Sequence, residues 1–382
     1  MTPLRSEQLA PRAWPDGAGP RALRSAAPAA ALPFARFRDD EALLASWQRL
    51  EIAAAMPMQS IGFAAALADT LCADTVIRIF SIGDGDDLAG LLPLSRRPGP
   101  FGRWTLLGAI ETGEPGDALC LEPAAAELLA QALVRDKRAL ELPRLPAGSP
   151  LIPAIQAAMR GKGLVTVRPA DPMPTIALDA SWQDPAAHFN SGRRSDFRRA
   201  ARKAAELGEI SFEMRAPVPA EFDALFDEAV AVEGRSWKRG AGTAIAVDRV
   251  KEECFRRFFR WGAERGLCRI AFMRIDGMAV AMQMALEWGD RYWLFKIGFD
   301  EKFARCSPGN LLMLHSIGRA AASGLVAFEL LGNVEPWIAT FWTQDRHDCV
   351  RLRAWPYNAR GAAAFAVDSG IWLRTRLARG RG

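Results

Sequence analysis

The feature that most constrains this chain is an order of elements that occurs twice. In the first half, Asp40–Met56 and Gln59–Leu71 read as helices, and Thr75–Ser81 and Leu88–Leu94 flank GDGDD, an Asp-Gly turn of the kind that closes a β-hairpin. A strand at Arg103–Gly108, a helix at Pro123–Arg135 and a short strand at Ala139–Leu142 follow. The second half has helices at Ala220–Ala231 and Val247–Glu264, then Cys268–Arg274 and Met278–Glu287 around Asp276–Gly277. A strand at Arg291–Ile297, a helix at Pro308–Ser323 and a strand at Val326–Leu331 complete it. At a constant offset of 188 residues, Trp104 falls on Tyr292 and Leu140-Glu141-Leu142 falls on Phe328-Glu329-Leu330. Matched order and spacing imply two similar α/β units in tandem, which a chain of 382 residues can accommodate.

Within the second unit, Arg291–Gly324 reads as strand, Ser-Pro-Gly turn and helix. Tyr292, Leu294, Lys296 and Gly298 alternate with Trp293, Phe295 and Ile297, a pattern suited to a pleated surface. Ser307 is the expected N-cap and Pro308 the expected first helical residue. A helix opening from a buried strand presents free amides and a positive dipole end, a place to hold phosphate. In the first unit Glu122-Pro123 stands at the matching helix start, where an acidic side chain repels phosphate. One working site per chain is therefore expected, in the second unit.

A net charge of +5 is too mild to require nucleic acid and suits an anionic small molecule. The six cysteines form no CxxC or ligand spacing, and there are three histidines, so no metal site is expected and a reducing compartment, the cytoplasm, is. No run of 18 apolar residues occurs, so no transmembrane segment is expected. Residues 1–33, rich in Pro, Ala and Arg, read as a flexible tail; Pro28 and Pro33 interrupt the Ala-rich stretch that faintly resembles a signal peptide. Domain bounds are expected at 34–170 and 171–360, with 361–382 a packed terminal helix and a basic tail, membrane-surface binding of that helix being the weaker alternative. Between the halves, Ser191–Glu209 puts Phe197, Ala201, Ala204 and Leu207 on one helical stripe and Arg194, Arg198 and Arg202 on another.

Three segments together carry a family resemblance. Glu233–Ile245 (EGRSWKRGAGTAI), Lys296–His315 (KIGFDEKFARCSPGNLLMLH) and Ser191–Glu209 resemble the tandem-GNAT acyltransferases of cellulose and exopolysaccharide biosynthesis, the BcsL/CelD-like group related to FemAB. The resemblance spans about residues 35 to 360. It implies two tandem GNAT-like domains with mixed, largely antiparallel sheets, of which the N-terminal one, with Glu122-Pro123 at its helix start, is expected to be non-catalytic. It implies acetyl-CoA or another acyl-CoA as co-substrate, with no metal. The CoA pyrophosphate would then meet the amides of Ser307, Pro308, Gly309, Asn310 and Leu311, although proline has no amide N–H, and the pantetheine would follow the splayed edge of Trp293–Gly298. Two departures are visible: CSPGN offers one glycine where the usual GNAT loop has two, and Trp337-Ile338 replaces the Tyr-Lys common on the FemAB side.

Thioester aminolysis needs a proton acceptor for the amine and polarisation of the carbonyl. Glu233 is the leading general base, with the solvent-facing end of a helix as its plainer role, and Asp300 a second, with a local turn cap as its plainer role. Lys296 is read either as a contact to CoA phosphate or an anionic acceptor, or as a surface lysine. Trp237 and Lys238, with Arg194 and Arg198, are candidates for holding substrate. His315 is expected to be a packed polar residue, Cys306 a bystander thiol and the Phe255–Phe259 stripe core; His347 lies in a loop that reaches toward an acceptor only on a weaker reading. The expected activity is acyl-CoA-dependent N-acyl transfer to an amine of a sugar or polysaccharide precursor, and proteins of polysaccharide biosynthesis are further candidate partners. Aminoacyl-tRNA-dependent transfer, using the basic helix, and a non-catalytic scaffold are the alternatives.

Overall fold

A computed structural model describes residues 29–83, 87–236, 245–332 and 336–379. The tip of the first Asp-Gly hairpin therefore lies outside the described residues. Contacts divide the chain into two units, one of residues 173–346 and one of the described residues up to 172 together with 347 onward.

In the first unit, Val76–Ile82 and Gly90–Arg96 form the antiparallel hairpin the Asp-Gly turn requires. Trp104–Leu106 pairs antiparallel with Gly90–Arg96 on one side and parallel with Leu140–Pro146 on the other. Two helices, Pro123–Arg135 and Leu151–Ala158, bury Leu129, Leu133 and Ile155 against Leu92, Leu94, Trp104 and Leu142 of the sheet. The expected Asp40–Met56 helix is shorter, Glu41–Leu50, capped by Asp40, and a 3-10 turn follows it.

Two boundaries differ from the sequence expectation. Ala29–Pro33 is an edge strand paired with Val76–Ile82, so the expected 1–33 tail is ordered at its end. Arg346–Pro356 pairs antiparallel with Leu140–Pro146, placing residues 347–360 in the first unit and not in a 171–360 domain. The reason is non-local: a sheet edge formed some 200 residues earlier in the chain recruits this strand, and no local pattern encodes its partner. The terminal helix runs Ala359–Arg379, and beyond Gly370 it is far more exposed than a packed helix would be.

The second unit repeats the first in register. Its sheet runs Ala327–Leu330, Arg291–Phe299, Met278–Trp288, Cys268–Ile275, Ile210–Arg215, antiparallel except for the first pair, and the end of Gly163–Ala177 flanks Ala327–Leu330. In that parallel pair Tyr292 faces Phe328 and Trp293 faces Glu329; in the first unit Trp104 faces Leu140 and Thr105 faces Glu141. The offset of 188 is thus a physical register. It extends to an ion pair, since Arg103 donates to Glu141 at 3.1 Å and Arg291 donates to the buried Glu329. One face of the sheet carries the helices Ser191–Ala205 and Pro308–Ala322, with Phe197, Ala200, Ala204 and Leu312 buried. The other carries Pro219–Glu233 and Arg249–Glu264, whose Phe226, Phe255, Phe258 and Phe259 form an aromatic core with Phe295. Among the described residues the chain is a mixed α/β protein of two tandem units, each with a parallel pair in a largely antiparallel sheet.

Candidate active site

The Arg291–Phe299 strand does not alternate strictly. Its register against Met278–Trp288 passes from Leu294↔Ala285 to Lys296↔Met284, leaving Phe295 as the extra residue of a β-bulge. The bulge reverses the phase of the strand. Tyr292 and Leu294 pack toward the Pro308–Ala322 helix. Past the bulge, Ile297 and Phe299 pack on that side instead. Lys296 and Gly298 turn with Phe295 toward the other helices. The expectation of one face formed by Tyr292, Leu294, Lys296 and Gly298 is corrected accordingly. The parallel pairing with Ala327–Leu330 runs to Leu294↔Leu330, and the Leu331 amide donates to the Leu294 carbonyl at 3.3 Å.

Glu233 ends the Pro219–Glu233 helix and is 1% exposed. It packs onto Gly298 so closely that a Cβ at residue 298 would come within 2.9 Å of its Cα. Its Oε2 accepts from the Ile245 amide at 2.9 Å. The following turn is tied to the strand end: Arg235 Nε donates to Asp300 Oδ2 at 2.7 Å, and Arg235 Nη2 donates to the Ala279 carbonyl at 3.2 Å. Asp300 Oδ1 accepts from the Lys302 amide at 3.0 Å, so this buried aspartate caps the next turn and holds Arg235. Lys296 Nζ lies 4.1 Å from the Phe255 ring centroid, a cation–π contact on the Glu233 side of the sheet. Trp237 and Lys238 lie outside the described residues.

At the helix start, Ser307 adopts a left-handed conformation (φ 47°, ψ 53°) and makes no side-chain cap, contrary to its expected N-cap role. With φ positive, its hydroxyl is not aimed along the helix axis as a cap requires. The Ser307 amide donates to Ala304, and the amides of Asn310 and Leu311 donate back to the Ser307 carbonyl. Of the five residues expected to cradle phosphate, Gly309 keeps an amide with no backbone partner among the described residues. A Cβ there would sit 3.4 Å from Phe299, tight but open enough for close backbone approach by a ligand. The surroundings are basic: burial pushes the adjoining Cys306 thiol up, and the charges of Arg305 and Lys203 pull it back. Cys306 is fully buried, as a bystander thiol would be.

On the Ser191–Ala205 helix, Arg194 donates to the Phe189 carbonyl at 3.1 Å and Arg198 is exposed. The buried stripe is Phe197, Ala200 and Ala204, one residue off the expected Ala201. His315 stacks on Phe212 at 5.0 Å, and burial lowers its pKa. His347 is buried in the first unit. In that unit the region past the parallel pair is filled by the chain itself: the Gly116 amide donates to the Arg144 carbonyl, and Arg144 Nη1 donates to the Gly113 carbonyl at 2.8 Å. Among the described residues no cluster of His, Cys, Asp or Glu could hold a metal.

Residues 191–337 match the family model described as an acetyltransferase (GNAT) domain. This segment resembles a GNAT acetyltransferase domain. The matched segment contains the bulged strand, Glu233 and the Pro308–Ala322 helix. Beyond it, the chain resembles the solved structure of FemX (TM-score 0.51, 9% identity, 78% of this chain and 91% of that one). It also resembles a conserved protein of unknown function from Bacteroides thetaiotaomicron VPI-5482 (TM-score 0.50, 10% identity, 81% and 96%). A tandem GNAT protein from the clavulanic acid biosynthesis pathway superposes with a TM-score of 0.44 at 16% identity, over 87% of this chain and 98% of that one. Such likeness at low identity concerns the fold. No curated protein matches the chain in sequence.

Sequence reasoning missed the bulge and the Arg235–Asp300 tie. Gly298 was the available signal, because a glycine inside a strand often marks close approach by another element.

Proposed function

We propose that the GNAT domain transfers an acyl group from acyl-CoA to the amine of a sugar or polysaccharide precursor, in the cytoplasm, as the BcsL/CelD-like resemblance suggests. The donor lies along the strand past Phe295, with its pyrophosphate at the Gly309 amide near Arg305 and Lys203. The acceptor nitrogen attacks the thioester carbonyl; the N–C bond forms, the C–S bond breaks, and the CoA thiolate leaves and is reprotonated. Glu233 takes the proton that the nitrogen loses. Asp300 acts as a positioning residue through Arg235, and Lys296 sits where it can face an anionic group of the acceptor. Arg194, Arg198, Trp237 and Lys238 remain proposed acceptor contacts.

The observation that carries this reading is the Phe295 bulge, past which Gly298 lies against Glu233. A pantetheine amide chain would follow the strand there, just where Glu233 closes over Gly298. Differential scanning fluorimetry with acetyl-CoA and longer acyl-CoAs tests it: a ligand at 100 times its Kd raises stability by about 2.7 kcal/mol, a readily seen change in melting temperature. No change with any acyl-CoA overturns the proposal.

A second reading is aminoacyl-tRNA-dependent transfer, favoured by the FemX-like fold and the exposed Arg198 and Arg202. It predicts steeply salt-dependent tRNA binding that is lost in the Arg198→Glu/Arg202→Glu variant.

A further inference from the structure

The Ala359–Arg379 helix changes character along its length. Its first half is anchored. Gly361 meets the Pro356 backbone too closely for a side chain, and Asp368 accepts from Arg103 at 2.8 Å and from Trp355 Nε1 at 2.9 Å. Phe365 packs edge-on against Trp355. Beyond Gly370, Ile371, Trp372 and Leu373 are 51%, 48% and 52% exposed, and Arg374 and Arg376 are exposed as well. Three consecutive helical residues spread over more than half the helix circumference, so this end presents apolar surface broadly. Arg376 lies over the Trp372 ring at 5.1 Å. The sequence continues with Arg379 and Arg381, and no acidic residue follows Asp368.

We propose that this helix end docks on an anionic lipid surface. Half-exposed Ile371 and Leu373 gain by entering the acyl boundary, and Trp372 suits the headgroup level. The arginines reach the lipid phosphates with their long stems laid along apolar surface. Charge decides among occupants. A second copy would bring the same four arginines against these, a repulsive contact. Nucleic acid would attract the arginines but give nothing for burying Ile371 and Leu373. No described helix is long and apolar enough to cross a membrane, so the contact is peripheral. The proposal does not depend on acyl transfer.

The test uses the full chain in co-sedimentation with vesicles of phosphatidylcholine plus phosphatidylglycerol and with vesicles of phosphatidylcholine alone. Binding to the anionic vesicles alone, weakening as salt rises, is expected. Both the Ile371→Ser/Trp372→Ala/Leu373→Ser variant and the Arg374→Glu/Arg376→Glu variant should bind roughly tenfold more weakly or less. These side chains are exposed, so circular dichroism and thermal melting should match the parent chain. Absence of binding, equal binding to neutral vesicles, or binding unaffected by both variants overturns the proposal. So does self-association, seen by analytical ultracentrifugation, that the Trp372 variant abolishes.

Discussion

Glu233 rests on Gly298 with no room for a side chain between them: a Cβ at residue 298 would approach Glu233 Cα to 2.9 Å and its Cγ to 3.0 Å. The nearest atom belongs to the backbone of a helix end, which cannot swing aside as a flexible side chain would. Gly298→Ala should therefore cost about 1–3 kcal/mol in urea denaturation, the range for overpacking. A variant as stable as the parent chain would show that the Pro219–Glu233 helix does not sit where described.

Glu233→Gln preserves shape and can still accept from the Ile245 amide, but it cannot take a proton. Its expected signature is unchanged melting and CoA binding with acyl transfer reduced about 10²- to 10⁴-fold. Loss of CoA binding would instead assign Glu233 to the donor site, and full activity would remove it from the mechanism.

Gly309→Ala tests the helix start separately. Alanine favours the helix by about 0.5–1 kcal/mol, so stability should hold or rise. The added methyl blocks backbone approach by phosphate, and calorimetry should find acyl-CoA bound at least about tenfold more weakly, one phosphate-amide hydrogen bond being worth about 1.5–3 kcal/mol. Unchanged affinity would move the phosphate site elsewhere.

Breaking the repeated ion pair bears on the fold alone. Glu329 is 1% exposed and its removal leaves Arg291 partly buried without this partner. Glu329→Ala should cost about 2–3 kcal/mol. Glu141 also accepts from Arg353 at 2.7 Å and from Arg103, but Arg103 keeps Asp368 at 2.8 Å, so Glu141→Ala strands Arg353 and should cost no more. Chemical denaturation of both variants checks the ranking.

Asp117 in the first unit accepts from Ser149 Oγ and from the Ala118 amide, both at 2.7 Å, yet desolvation outweighs them and pushes its carboxyl up to about 7. Its unfolded value lies near ~4, so folding binds a proton here between those values. The stabilising share is full below the unfolded value and is lost as pH rises through about 7. Asp117→Asn removes that dependence. Each tenfold difference in proton affinity between the folded and unfolded chain is worth ~1.4 kcal/mol. Relative to the parent chain, the variant should therefore gain about 1–3 kcal/mol on going from about pH 5 to about pH 8. Parallel stability curves would contradict the raised value.

Much of this protein is written locally. Asp-Gly hairpins, amphipathic helices and the aromatic stripe Phe255–Phe259 depend on residues near each other in sequence, and they stand within a few residues of their expected places. The offset of 188 is the clearest case. A repeat inherits its strand register, so Trp104 facing Leu140 and Tyr292 facing Phe328 follow from one alignment, and the Arg103–Glu141 and Arg291–Glu329 pairs with them.

Local chemistry thus dictates the kind of elements, their order and their duplication, because period, turn chemistry and spacing are short-range properties. Three further features arise only when distant segments meet. The bulge at Phe295 depends on how Arg291–Phe299 pairs with Met278–Trp288, and not on the pattern of its own residues alone. The place of Arg346–Pro356 depends on a distant sheet edge. The approach of Glu233 to Gly298 depends on a helix packing across 65 residues of chain, and with it the proposed catalytic centre.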